Sequence, residues 1–172
     1  GHWAEKDIER LASEGIISGV GEGRFEPNGQ ITRAQFAQLL MNMNLVPSGD
    51  IEVPQFRDVN PDAWYSEAVT WAVSCGAAKG MGDGTFAPDA PITREQMAAM
   101  MNRFLKLAGI EITAVTEKDF TDESAISDWA AADVKTLTEA GIINGRDDGR
   151  FDPENDMTRA ESAAVICRVL DI

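Results

Sequence analysis

The sequence predicts a mainly α-helical protein built from three copies of one helix-loop-helix unit. A block of residues recurs at fixed internal spacing. Apolar residues three and four apart lie on both sides of each block, and glycine-rich turns lead into threonine-capped starts. The block Gly15-Ile16-Ile17-Ser18-Gly19, Gly23-Arg24-Phe25-Glu26-Pro27 and Ile31-Thr32-Arg33-Ala34-Gln35 returns at offsets of 61 and then 65 residues. Its second copy is Gly76-Ala77-Ala78-Lys79-Gly80, Gly84-Thr85-Phe86-Ala87-Pro88 and Ile92-Thr93-Arg94-Glu95-Gln96. The third is Gly141-Ile142-Ile143-Asn144-Gly145, Gly149-Arg150-Phe151-Asp152-Pro153 and Met157-Thr158-Arg159-Ala160-Glu161. We place the units at 1–46, 56–109 and 120–172, together forming one compact domain.

Each unit is expected to open with a short helix entered near Trp3, Trp64 or Trp129. Ile8 with Leu11, Val69 with Ala72 and Val134 with Leu137 put two apolar groups on one face of it. Gly15, Gly76 or Gly141 ends this helix, because glycine adopts the left-handed conformation that closes a helix terminus. The second helix opens at Thr32, Thr93 or Thr158, with Gln35, Gln96 or Glu161 three residues on. That spacing predicts a capping box in all three units. Phe36, Leu39, Leu40 and Met43, matched by Met97, Met100, Met101 and Phe104, make a broad apolar face. Three such helices packed together predict a central three-helix bundle. Linkers run from Val46 to Gln55 and from Gly109 to Asp119, each leading into Phe56-Arg57-Asp58 or Phe120-Thr121-Asp122. The first unit has no such lead-in, as expected if the sequence is cut there or if this unit begins differently.

Composition limits the function classes. A net charge of -14, from 15 basic and 29 acidic side chains, argues against a nucleic-acid partner. No run of about 18 apolar residues is present, so no membrane insertion is expected, and any signal peptide is expected to have been removed. Cys75 and Cys167 sit at non-equivalent places in the repeat and read as buried free thiols rather than a disulfide framework. His2 is the only histidine, which removes the usual general base and most zinc arrangements. We expect no catalytic residue, no metal site and no cofactor. The acid pair Asp147 and Asp148 has Gly21-Glu22 and Gly82-Asp83 as counterparts, so no carboxylate pair recurs as a glycosidase would need. Counting back from Gly149 or Gly84 also fails the calcium-loop spacing.

One feature resists a purely structural account. A helix start has about half a positive charge from its unpaired amides, so a cation there costs roughly 0.3–1 kcal/mol. Yet Arg33, Arg94 and Arg159 all follow the capping threonine. A guanidinium beside exposed helix-start amides would make a receptor for a carboxylate or phosphate. The competing reading is that each arginine pairs with an acid of a neighbouring unit. On the ligand reading, replacing all three by alanine is expected to weaken binding while leaving the thermal melt nearly unchanged. For Trp3, Trp64 and Trp129, packing at the helix entry weighs more than stacking on a sugar face. Trp71 has no counterpart in the other units and reads as local packing. Gly19, Gly80 and Gly145 fit either turn chemistry or close approach of a ligand to the backbone.

A tryptophan, then Gly-Ile-Ile-x-Gly, Gly-x-Phe-x-Pro and Thr-Arg-Ala-Gln or Thr-Arg-Ala-Glu, three times in tandem, resembles the S-layer homology domain over nearly the whole chain. The resemblance implies a pseudo-threefold assembly with three long helices at its centre. It implies a secreted module, monomeric in isolation, that attaches its protein noncovalently to the cell wall or S-layer. The partner implied is an acidic secondary cell-wall polysaccharide with ketal-linked pyruvate, often on N-acetylmannosamine. The pyruvate carboxylate would meet Arg33, Arg94 and Arg159, with Gly19, Gly80, Gly145, Trp3, Trp64 and Trp129 around it. Unit two departs from the pattern at Ala77-Ala78 and Glu95, and unit one lacks its lead-in, so three equal grooves are not expected. The alternative is a module that binds peptidoglycan or a protein without pyruvylated-glycan specificity. Repulsion between an acidic protein and an acidic polymer is screened within about 8 Å at physiological salt, leaving short-range contacts to decide binding.

Overall fold

The structure is a computed structural model that describes residues Gly1–Ile172. It contains α1 (Glu5–Ser13), α2 (Arg33–Asn42), α3 (Ser66–Ser74), α4 (Arg94–Leu107), α5 (Asp128–Glu139) and α6 (Arg159–Leu170), with one 3-10 turn at Glu123–Ala125. No extended sheet is present, so the mainly α class is borne out. No helix is long and apolar enough to cross a membrane.

The helix ends follow the chemistry read from the residues. Gly15, Gly76 and Gly141 have φ of 73°, 87° and 73°, left-handed as expected. Behind Gly15 the Ile16 amide reaches back to Leu11 O at 2.9 Å, and Ile142 does the same to Leu137 O, so the last carbonyls of α1 and α5 are satisfied. Thr32, Thr93 and Thr158 each cap their helix, accepting from the amides of Gln35, Gln96 and Glu161. The full capping box closes in α2 and α6 only. In α4 the Gln96 side-chain oxygen instead accepts from Arg33 NH1 at 3.2 Å, so one predicted reciprocal bond is diverted to another unit.

The helix pairing could not be read from the repeat. The first helix of each unit packs on the second helix of a different unit: α3 on α2, α5 on α4 and α1 on α6. The last pair closes a ring, fastened by Arg10 to Asp171 at 2.6 Å. At the centre α2, α4 and α6 meet through the residues before their caps. Ile31 donates to Met157 O, Met157 to Ile92 O and Ile92 to Ile31 O, at 3.0, 2.9 and 3.0 Å. This triangle of backbone bonds is the pseudo-threefold centre, and Ile31, Ile92 and Met157 are buried around it.

One apolar cluster of 40 buried residues runs through all three units, so the units share a core. Leu11, Val69, Ala72, Val134 and Leu137 lie in it as expected. Trp71 is buried there, with Nε1 donating to Val46 O at 3.1 Å and its ring edge-on to Phe104. Cys75 and Cys167 are buried and unpaired, and burial pushes the Cys167 thiol up to about 11.

Candidate functional site

The start of each central helix is anchored to the next unit around the ring. The amides of Arg33 and Ala34 donate to Ala90 O and Pro88 O, those of Arg94 and Glu95 to Asn155 O and Pro153 O, and those of Arg159 and Ala160 to Gly29 O and Pro27 O. The helix-start amides expected to be open for an anion are therefore occupied by carbonyls, which corrects that part of the sequence reading. Carbonyls of the neighbouring unit's turn thus satisfy donors that the helix itself cannot pair.

The arginines cross the same seams. Arg33, Arg94 and Arg159 are only 5%, 3% and 7% exposed. Arg33 Nε donates to Phe86 O at 2.9 Å and its NH2 to Lys79 O at 3.1 Å. Arg94 donates likewise to Phe151 O and Asn144 O, both at 2.7 Å, and Arg159 to Phe25 O and Ser18 O at 2.8 and 2.6 Å. Each guanidinium also lies over a phenylalanine ring, 4.9 Å from Phe86, 4.8 Å from Phe151 and 4.4 Å from Phe25.

The arginines thus join units, but through carbonyls. Only Arg94 has a carboxylate within salt-bridge range, Glu161 at 3.7 Å. Burial lowers all three pKa values, Arg94 to about 10 with Arg146 adding to the effect. Such buried, bonded side chains join the units, which argues for a lowered melt on alanine replacement rather than an unchanged one.

Beside each arginine a groove opens, assembled from all three units. The first, about 370 Å³, is lined by Arg33 of unit one, Lys79, Gly80, Gln96 and Arg103 of unit two, and Trp129 of unit three. The second, about 410 Å³, takes Arg94, then Asn144, Gly145, Glu161 and Arg168, and Trp3. The third, about 350 Å³, takes Arg159, then Ser18, Gly19, Gln35 and Asn42, and Trp64. All three volumes fall at the lower end of the range of small-molecule sites, about 300–1,000 Å³.

Every sequence-predicted site residue is therefore brought to a groove, one arginine, one glycine and one tryptophan to each. The tryptophans are 64%, 61% and 54% exposed for Trp3, Trp64 and Trp129, so the preference for core packing is overturned. They precede or open the first helix on the side turned away from the shared core.

The glycines resolve differently. A Cβ on Gly80 would stand 2.5 Å from the Phe56 ring and 2.9 Å from Thr85 O, and one on Gly145 would stand 2.5 Å from Phe120. The lead-in phenylalanine fills the space that a side chain would need, so packing demands these glycines. At Gly19, with no lead-in, the obstacle is Arg24 O at 2.5 Å.

Two groups of residues escaped the sequence reading. Asp58 accepts from the Phe86 and Ala87 amides at 2.9 and 2.7 Å, and Asp122 from Phe151 and Asp152 at 2.7 and 2.8 Å. These carboxylates pin the turn whose Ala87 and Asp152 have left-handed φ of 58° and 65°. The other group is the polar row along each central helix, Gln35 and Asn42, Gln96 and Arg103, Glu161 and Arg168. Their shared register beside the apolar stripe was the available signal.

The pair Asp147 and Asp148 occupies an exposed turn, where Asp148 is bound to Arg150 Nε at 2.8 Å and to the Arg150 amide.

A family model described as the S-layer homology domain matches residues 1–37, 55–98 and 119–163. The chain belongs to the S-layer homology domain family. An amylopullulanase of Thermoanaerobacterium thermosulfurigenes is 34% identical over 99% of the chain, a match covering 9% of that protein. The surface-layer 125 kDa protein of Lysinibacillus sphaericus is 29% identical over 98% of the chain and 14% of its own length. A cellulosome-anchoring protein of Acetivibrio thermocellus is 31% identical over 91% of the chain and 35% of its own length. The chain spans a minor part of each relative, and the S-layer homology region is what an enzyme and surface proteins have in common here.

Proposed function

We propose that this S-layer homology module anchors its protein noncovalently to the cell wall, at the cell surface, by holding an acidic wall polysaccharide in the grooves between units. The observation behind this reading is one construction repeated three times: a buried guanidinium and an exposed indole lining the same groove. An indole face offers an apolar platform for a sugar ring, and the guanidinium field favours an acidic substituent on that sugar. A ketal-linked pyruvate on N-acetylmannosamine supplies both, a flat sugar face and a compact carboxylate. The module itself is non-catalytic, and its relatives include an enzyme, an S-layer protein and an anchoring protein, as expected of an attachment device independent of cargo. Three grooves on one rigid core would also raise retention through multivalency when one polymer reaches more than one of them.

The test is sedimentation of the purified chain with wall sacculi, native and stripped of their secondary polysaccharide, beside a variant with Trp3, Trp64 and Trp129 all changed to alanine. These exposed side chains can be removed with little effect on the core. Retention on native sacculi and loss with either the stripped sacculi or the triple variant is the expected result. Equal retention on stripped sacculi would make bare peptidoglycan or a wall protein the partner. Calorimetry with a pyruvylated N-acetylmannosaminide and its unpyruvylated twin then tests the substituent itself.

A further inference from the structure

The three grooves share a plan but differ in charge, and the differences fall at matching positions. The Arg33 groove is lined by two further cations, Lys79 and Arg103, with no carboxylate on its wall. The Arg159 groove has Ser18 and Asn42 at those positions and no second cation. The Arg94 groove contains Arg146 and Arg168, but also Asp147 and Glu161.

Availability sharpens the contrast. Glu161 accepts from Arg146 NH1 at 2.6 Å and lies 3.7 Å from Arg94, so two of the three guanidiniums in that groove already face a fixed anion. Arg168 donates to Ile142 O and Asn42 to Ile16 O, each at 3.0 Å. The guanidinium of Arg103, at the same register, donates to no group of the chain, and the residue lies half-buried in its groove wall. A half-buried cation without a partner keeps most of its attraction for a ligand, whereas an internally paired one must first give up its partner.

Resting on the glycan reading above, we propose that the Arg33 groove is the principal anion-binding groove. Arg103 is its ligand-contacting second cation, and Glu161 acts as an internal anion that keeps the Arg94 groove closed to acidic sugars. The chemistry recognised is a saccharide segment bearing a carboxylate, seated between Trp129 and the Arg33–Arg103 pair.

The substitution Glu161→Gln isolates this effect, because units one and two already carry glutamine at that position, Gln35 and Gln96, under an intact threonine cap. With native wall sacculi as the probe, Trp129→Ala and Arg103→Gln are each expected to weaken retention by about tenfold. Trp3→Ala is expected to weaken it by less than about threefold, since two of the three guanidiniums in the groove it lines already face Glu161. Glu161→Gln is expected to strengthen retention and to make Trp3→Ala costly. Arg103→Gln should also flatten the salt dependence while leaving the melting temperature in place, which a structural role would not do.

Equal losses from Trp3→Ala and Trp129→Ala, or no gain from Glu161→Gln, would overturn the ranking. Failure of the glycan reading shows elsewhere: wild-type protein would then bind polysaccharide-stripped sacculi as well as native ones, and the ranking would fall with it.

Discussion

Arg159 donates to the Ser18 carbonyl at 2.6 Å across 141 residues of chain, which fastens the last unit to the first. The same bond recurs from Arg33 to Lys79 and from Arg94 to Asn144, so each guanidinium is both a clasp between units and part of a groove lining. Arg159→Ala would leave the Ser18 and Phe25 carbonyls short of a donor and remove a cation from an aromatic face. We expect a loss of about 2–4 kcal/mol of stability, read as a lower urea midpoint with an unchanged slope. Arg159→Lys should recover only part of it, because an ammonium cannot reach two carbonyls in the plane of a fork.

Asp58 offers two oxygens to two amides of a turn that has a left-handed alanine. Asp58→Asn keeps one acceptor and turns the other into a donor facing an N–H. A cost of about 1–3 kcal/mol is expected, with faster amide exchange at Phe86 and Ala87 as the local signature.

Gly80→Ala would drive a methyl into the Phe56 ring and the Thr85 carbonyl. The expected cost is about 1–3 kcal/mol from overpacking, measured by thermal unfolding. Pairing it with Phe56→Leu should give back part of the loss, since the smaller side chain vacates the contested space.

Acid should act through Glu161. Burial works against its charge, but bonds from the Thr158 amide and pairing with Arg146 outweigh this and hold its pKa below the usual carboxylate value of 4.5. A carboxylate with a depressed folded pKa contributes stability above its unfolded value, and that contribution disappears as pH falls through the folded one. Wild-type protein should therefore lose stability below pH 4.5 more steeply than Glu161→Gln, in melts recorded stepwise into acid.

Removing the third unit should cost far more than a third of the molecule. A fragment ending at Gly109 lacks α6, the partner of α1, and α5, the partner of α4. It also loses Trp129, Arg159 and the whole second helix wall of the Arg94 groove. We expect no cooperative melt and no retention on sacculi.

Residue chemistry alone was enough for most of what is local, the α4 capping box being the exception because Gln96 turns to Arg33 of another unit. The helix stops at Gly15, Gly76 and Gly141, the threonine caps and the apolar faces depend on neighbours within a few positions, so the repeat displayed them directly. The threefold placement of Arg33, Arg94 and Arg159 was legible for the same reason, as an electrostatic cost repeated in register. Long-range packing decided the rest. Which helix pairs with which, that Trp3, Trp64 and Trp129 face outward, and that the helix-start amides meet carbonyls rather than solvent all follow from how three identical patterns close into a ring. A periodic sequence states which face of each helix is apolar, but the same face fits its own unit or the next. Only the geometry of ring closure, with its triangle of backbone bonds among Ile31, Ile92 and Met157, selects the partner and so assembles every groove from three separate stretches of chain.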